Sequence, residues 1–363
     1  MENSLYRPFS NELQSKIDLL SSRKTPIKMG EISFSGRLFL APMASICNAP
    51  FRLLMEQLGA GGTVSELISC HGINHGNQKT MDMLRIDKAE KNVGIQLFGE
   101  DTESMAIAAQ KACEFSPKFI DINMGCPVRK VVTKGGGSAL MQDPSKLGKF
   151  FAGVKKAINV PLTIKIRTGW DEQSINALEI INIANSEGVE MVAVHGRTRS
   201  QQYRGHANWE LLESLATESP LPLIGNGDLH SAKIVKERLQ KTNCEALMLA
   251  RGPLRNPFIF LESFIKDDED IIFDSKDYLE VIKTYYDYLS NFTEREKTLS
   301  VQMKKHIVWF AAGFPNTAKF RSRIYQTKEL NDVMNLTEDY FLSVGSRNKQ
   351  LNLDEPFMTG GHG

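Results

Sequence analysis

The chain has 363 residues, 41% hydrophobic and 24% charged, ordinary globular proportions with room for one large or two smaller domains. A net charge of +1 argues against a uniformly basic polyanion binder, so any nucleic-acid surface must be local. No apolar run approaches the ~18 residues that span a bilayer, the N-terminus lacks a signal-peptide core, and five cysteines with no CxxC spacing argue against a disulfide framework or a zinc cluster. A reducing cytoplasm is the expected setting.

In chain order, residues 1–30 are polar with helical fragments and read as an N-terminal extension. A regular beat then begins. Strands are predicted at Leu38–Pro42, Thr63–Leu67, Val93–Phe98, Phe119–Asn123, Leu162–Arg167, Met191–His195, Pro222–Asn226 and Ala246–Ala250. Amphipathic helices are predicted between most of them, at Thr102–Cys113, Pro144–Ala157, Ser174–Ser186 and Ser231–Leu239. Eight β/α units in succession suggest an α/β protein built as a closed (β/α)8 TIM barrel over residues 31–262, with strands covered on both faces. After Phe260 the composition changes. Residues 266–296 carry ten Asp/Glu, whereas residues 297–325 carry six Lys/Arg and no acid. Residues 266–345 read as a small C-terminal helical domain. Residues 346–363 read as a tail whose Thr-Gly-Gly-His-Gly end is expected to be disordered.

The polar residues cluster at strand C-termini, where a barrel carries its chemistry. The first strand ends in Ala41-Pro-Met-Ala44, the third carries Gln96 and the fourth carries Asn123. The fifth presents Lys165 and Arg167 on one face by its period of two. The sixth ends in His195-Gly-Arg197, the seventh in Asn226-Gly-Asp228, and the eighth in Ala250-Arg-Gly252. One buried Gln or His is ordinarily a satisfied core residue; six or more such residues at matching strand ends imply a shared site. A lysine flanked by Leu162, Ile164 and Ile166 suits an anionic ligand at the mouth, because lysine is almost never buried unpaired. Glycine loops after strands seven and eight suit a phosphate. A GxGxxG after the first strand and a GxxxxGK[ST] are both missing, so a Rossmann site and a P-loop are unsupported. Gly125-Cys-Pro127 places a thiol on a strand-end loop beside Asn123, fit for a proton donor or a nucleophile. Gly135-Gly-Gly137 follows as a segment able to move.

These blocks give the chain a resemblance. Ala41-Pro-Met-Ala44 with Pro50-Phe-Arg52, Gly94-Ile-Gln-Leu-Phe-Gly99, Asp121-Ile-Asn-Met-Gly-Cys-Pro127, Gly137-Ser-Ala-Leu-Met141 and Lys165-Ile-Arg167 come first. The run from His195 to Gly205, Asn226-Gly-Asp228 and Arg251–Pro257 follow in order. Together they resemble the tRNA-dihydrouridine synthases, flavoenzymes that reduce uridine in tRNA. The resemblance implies a TIM barrel with a helical tail, FMN as cofactor, NADPH (or NADH) as reductant and tRNA as partner. It implies that Pro42, Met43 and Ala44 line the flavin ring, that Gln96 and Lys165 bond its pyrimidine edge, and that His195 contacts the isoalloxazine. Asn226, Gly227, Asp228, Ala250 and Arg251 would hold the phosphate. Asn123 and Arg167 would lie near the target base. Hydride would reach uracil C6 from reduced FMN, and Cys126 would protonate C5 from the opposite face.

An RNA contact surface is expected from the basic tail, at Lys304, Lys305, Arg321 and Arg323, and from Arg129 beside the Cys loop. A monomer is expected, with no membrane association and no metal. Two positions depart from the family pattern: Asn48 and Asn208 stand where an Asp is usual. Two other readings remain open, an FMN-dependent dehydrogenase of a free small pyrimidine and a non-catalytic flavin-containing RNA-binding protein.

Overall fold

In a computed structural model, residues 9–345, 349, 350 and 357 are described. The other positions of the expected tail, including its last five residues, lie outside that set, as do residues 1–8 of the extension. Strands β1 (Ile27–Met29) and β2 (Ile32–Phe34) form an antiparallel hairpin. The next eight are β3 (Leu38–Leu40), β4 (Gly62–Ser69), β5 (Val93–Phe98), β6 (Phe119–Met124), β7 (Leu162–Arg167), β8 (Met191–His195), β9 (Leu223–Asn226) and β10 (Ala246–Leu249). They form a closed parallel barrel in sequence order, with β10 pairing β3 through Leu247 opposite Leu38. The TIM-barrel expectation holds, and the strand limits differ from the expected ones by no more than two residues.

Alternation along each strand explains why the barrel both packs and carries a site. On β7, Leu162, Ile164 and Ile166 join the layer facing the helices, so Thr163, Lys165 and Arg167 point inward. On β6, Ile120 and Ile122 face outward, and Phe119, Asp121 and Asn123 face the lumen. The lower lumen is filled by Phe39, Val64, Phe119, Met191, Ile224 and Met248. The hairpin β1–β2 closes it from below, with Met29, Ile32 and Phe34 in that same cluster and Phe34 edge-on to Phe39 at 4.7 Å. The layer above is polar, and it opens at the strand C-termini.

The segment before the barrel is a structural part of it. Ser10 caps the helix Asn11–Ser21, whose Leu13, Ile17 and Leu20 are buried in the largest core. Lys16 donates to Asp277 at 2.8 Å, and Arg23 pairs with Glu269. After two short helices, Gly252–Arg255 and Ile259–Glu262, four longer ones follow the barrel: Ser275–Phe292, Glu296–Ala311, Thr317–Gln326 and Leu330–Val344. Their apolar faces share one continuous core with β3 and with the helix Ala49–Gln57. At that seam Phe51 meets Tyr285 edge-on at 6.0 Å. These helices are thus fastened to the barrel by shared packing.

Pro50-Phe-Arg52 has a structural role. Arg52 is buried and forms a two-pronged ion pair with Glu90, at 2.8 and 3.1 Å, while a third bond reaches the Cys47 carbonyl. Burial pushes the Glu90 carboxyl up to about 7 against the pull of Arg52. Breaking such a pair by removing one partner costs about 3–5 kcal/mol. The two Asn departures also find an explanation here. Asn48 Oδ1 accepts the Phe51 N–H at 3.0 Å and caps the helix Ala49–Gln57. Asn208 Oδ1 does the same for Leu211 at 2.9 Å ahead of the helix Trp209–Glu218. Asn and Asp cap helices about equally well, so either residue meets this local need.

Candidate functional site

The polar strand ends converge on one cleft of ≈ 900 Å³, open solvent included. Of the expected site residues, Pro42, Met43, Asn123, Cys126, Lys165, Arg167, His195, Asn226, Gly227, Asp228, Ala250 and Arg251 line it. Gln96 and Ala44 do not. Ala44 is exposed beyond the rim, and Gln96 is fully buried behind Asn123.

One arc of the cleft is a continuous hydrogen-bonded chain across β5, β6 and β7. Thr163 Oγ1 donates to Asp121 at 2.6 Å, and Gln96 Nε2 donates to the other oxygen of Asp121 at 2.7 Å. Asn123 Nδ2 donates to Gln96 Oε1 at 2.8 Å. Asn123 Oδ1 then accepts the Cys126 N–H at 2.9 Å. Strand register sets this up, since Gln96 lies opposite Asp121 and Asp121 opposite Thr163. Gln96 therefore aims Asn123, and Asn123 sets the turn that presents the thiol. The Cys126 carbonyl is held by the N–H and hydroxyl of Ser138, at 3.2 and 3.0 Å, within the segment that follows the glycines.

Burial pushes the Cys126 thiol up, and the Val128 N–H, Arg167 and Lys165 offset this only in part. A thiol raised above its ordinary range stays protonated at neutral pH. That state is suited to giving a proton and poorly suited to nucleophilic attack. His195 offers no base to activate it. Burial and the surrounding cations Arg167, Lys165, Arg197 and Arg251 drive the imidazole well below its ordinary value, so it is neutral.

Lys165 sits where the two arcs of the cleft meet, with Nζ 3.2 Å from Asn226 Oδ1. Burial and the nearby Arg167 lower it to about 8 despite Asp121 and Cys126. Arg167 is a clamp: Nε donates to the Gly125 carbonyl at 2.7 Å, and Nη1 donates to the Thr198 and Gln202 carbonyls, both at 2.9 Å. It ties the Cys loop to the loop after β8. Burial brings it down to about 10, still far above neutral pH, so the clamp is cationic.

The other arc, from β8 to β10, is built on charge. Asp228 stands in the left-handed region at φ 55° after Gly227 at φ 134°, where an added Cβ would lie 2.5 Å from the Ala207 Cβ. Arg197 Nη2 and the Ala207 N–H donate to Asp228 Oδ2 at 2.9 and 2.7 Å. His230 and Arg251 approach Oδ1 at 3.5 and 3.8 Å. Burial raises the Asp228 carboxyl, but bonds from His230, Ala207 and Arg197 outweigh it and hold the group far below its usual range. Asp228 is thus an ionised anchor that fixes two arginines.

Sequence reasoning left Tyr203 unassigned. Its ring lines the cleft with the Arg167 guanidinium at 5.7 Å and that of Arg251 at 5.6 Å. Its signal lay in the run from His195 to Gly205. The loop folds it inward through Gln202, a residue at φ 53°. Arg197, which the sequence marks only as part of a strand end, is the closest cation to Asp228.

The expected RNA residues divide. Arg129, Arg321 and Arg323 are exposed. Lys304 and Lys305 turn inward, in contrast to the expected outward-facing pair. Lys304 Nζ donates to the Thr327 carbonyl at 2.6 Å, and Lys305 Nζ to the Ser45 carbonyl at 2.8 Å. Helix packing decides this, because Met303, His306, Ile307 and Phe310 bury one face of Glu296–Ala311 and draw the adjacent lysines to nearby carbonyls. Among the described residues, no helix is long and apolar enough to cross a membrane.

The family model described as "Dihydrouridine synthase (Dus)" matches residues 39–344. A probable tRNA-dihydrouridine synthase of Rickettsia prowazekii (strain Madrid E) is 33% identical over 327 residues, covering 89% of this chain and all of the relative. The tRNA-dihydrouridine synthase B of Pasteurella multocida (strain Pm70) is 35% identical over 319 residues, 87% of this chain and 96% of the relative. Among solved structures, histamine dehydrogenase from Rhizobium sp. 4-9 superposes with a TM-score of 0.52 at 12% identity, over 74% of this chain and 51% of that one. The chain spans about half the length of that enzyme, and the likeness is one of barrel fold. The chain belongs to the dihydrouridine synthase family.

Proposed function

We propose that this enzyme reduces uridine to 5,6-dihydrouridine in tRNA, with FMN seated in the cleft and NADPH as reductant. The observation that carries the reading is the pairing of a protonated thiol with a cationic wall across one cleft. The donor set fits the cofactor. Lys165, in the cleft lining, would hold the flavin by its pyrimidine edge, supplying a positive charge to the negative charge that reduced flavin carries there. Arg251, His230 and the backbone around Gly227 face the position a phosphate would take, and Pro42, Met43 and Met248 offer apolar walls to the ring. Bound flavin supplies hydride to C6 of a uracil brought into the mouth.

The protein's part is to place and protonate. Asn123 and the Arg167 clamp hold the Cys126 loop, and the Cys126 Sγ–H gives its proton to C5 as negative charge develops there. Tyr203 and Arg167 border the space left for the base. Arg129, Arg321 and Arg323 supply exposed charge for phosphates outside the cleft. Support comes from the family match and from the relatives' names. The test is direct. Purified protein loaded with FMN is given NADPH and tRNA lacking dihydrouridine. Dihydrouridine should form with NADPH consumed one for one. Turnover of free uracil or orotate, with none of tRNA, would overturn the reading.

A further inference from the structure

The cofactor-facing strand end Ala41-Pro-Met43 turns at Ser45 before the helix Ala49–Gln57 begins. Ser45 adopts φ 61°, a left-handed conformation that non-glycine residues resist. Side chains from two other elements hold this peptide. The Ser45 N–H donates to Glu66 Oε2. The Ser45 carbonyl accepts from Lys305 Nζ at 2.8 Å and from Gln302 Nε2 at 3.4 Å. Glu66 is on β4 where the register against β5 shifts between Val64 and Leu67, an irregularity of the kind that re-aims a side chain. Lys305 and Gln302 come from the helix Glu296–Ala311 of the helical domain. One turn of the barrel mouth is thus gripped from a strand irregularity on one side and from the helical domain on the other. Lys305 is half-buried, with the Trp309 ring 5.2 Å from Nζ, so its direction is set by packing.

We infer that Lys305 is a positioning residue: by holding the Ser45 carbonyl it fixes the loop Ala41–Ser45 against the flavin and makes that setting depend on the helical domain. It is outside the cleft lining and acts through the loop. This rests on the flavin reading of the cleft.

The test uses full-length K305M and K305R, and K305M combined with S45G. Hydrogen–deuterium exchange over residues 41–48 is read in the flavin-free protein, and FMN affinity and the visible flavin spectrum in the loaded one. K305M should exchange faster over that segment, bind FMN about ten-fold more weakly and shift the flavin spectrum, the scale expected for one lost charged hydrogen bond. Its kcat should fall while KM for tRNA stays within about two-fold. K305R should restore all of these. S45G should recover part of the loss, because glycine holds φ 61° without restraint. Should K305M fail to fold, K305Q replaces it with the same expectations. Exchange and FMN affinity equal to wild type in K305M would overturn the inference alone. So would lost tRNA affinity with the loop unchanged, which would make Lys305 an RNA contact. A wild-type protein that binds no FMN would overturn both this and the proposed function.

Discussion

The two arcs of the cleft solve different problems with different chemistry. The arc from β5 to β7 runs through Thr163, Asp121, Gln96 and Asn123 to the Cys126 backbone, and it carries one buried carboxyl. The arc from β8 to β10 gathers Arg197, His230 and Arg251 around one ionised carboxylate. The first keeps a proton on sulfur by burial and fixes where that sulfur is. The second concentrates positive charge and prevents it from scattering. A reaction that moves a hydride and a proton to one base needs both, and needs them apart.

The two carboxyls make the contrast measurable. Burial raises Asp121 to about 6 even against Thr163 and Gln96, whereas Asp228 is held far below its usual range. Their linkage to pH therefore has opposite sign. Asp121 ionises more readily in the unfolded chain, so its contribution to stability declines as pH rises from about 4, its unfolded value, to about 6. Asp228 ionises more readily in the folded protein. Its contribution is present above about pH 4 and is lost as pH falls through its lower folded value.

The largest effect is expected where the arcs meet. Lys165→Met should weaken FMN binding by about 100-fold at neutral pH, measured by fluorescence quenching, because it removes the charge proposed to meet the flavin's pyrimidine edge. Unchanged affinity would separate Lys165 from the cofactor. Next, Asp228→Ala should lower stability by about 3 kcal/mol at pH 7 in denaturant titrations, since it leaves the buried Arg197 unpaired. The gap to wild type should shrink as pH falls below about 4; a constant gap would mean the charge is irrelevant. Gln96→Leu strands Asp121 and Asn123 and should cost about 2 kcal/mol. It should also lower kcat with FMN still bound. Thr163→Val, at the far end of the same chain, should cost only about 1 kcal/mol. If Thr163→Val proved costlier than Gln96→Leu, the chain would not run toward the thiol as described.

Much of this was legible in the sequence because it follows from period two. Inward Lys165 and Arg167 come from the alternation of β7, and convergence of the strand ends follows from parallel closure. What was not legible depends on partners distant in the chain. Gln96 reads as a cleft residue from its place on β5, yet its side chain is consumed between Asp121 and Asn123. Lys304 and Lys305 read as free cations in an acid-free run, but packing of the helix Glu296–Ala311 turns them toward carbonyls of Thr327 and Ser45. The extension reads as an appendage because its apolar residues are sparse. Only the folded chain shows Leu13, Ile17 and Leu20 completing the core.

Single-turnover reoxidation tests the account most directly. FMN-loaded Cys126→Ala, reduced beforehand, is mixed with tRNA lacking dihydrouridine, and the return of oxidised flavin absorbance is followed beside wild type. Retained FMN with reoxidation slowed by about 100-fold or more is the predicted result, the scale of one lost general acid. Reoxidation at the wild-type rate, with dihydrouridine formed, would show that the proton comes from elsewhere.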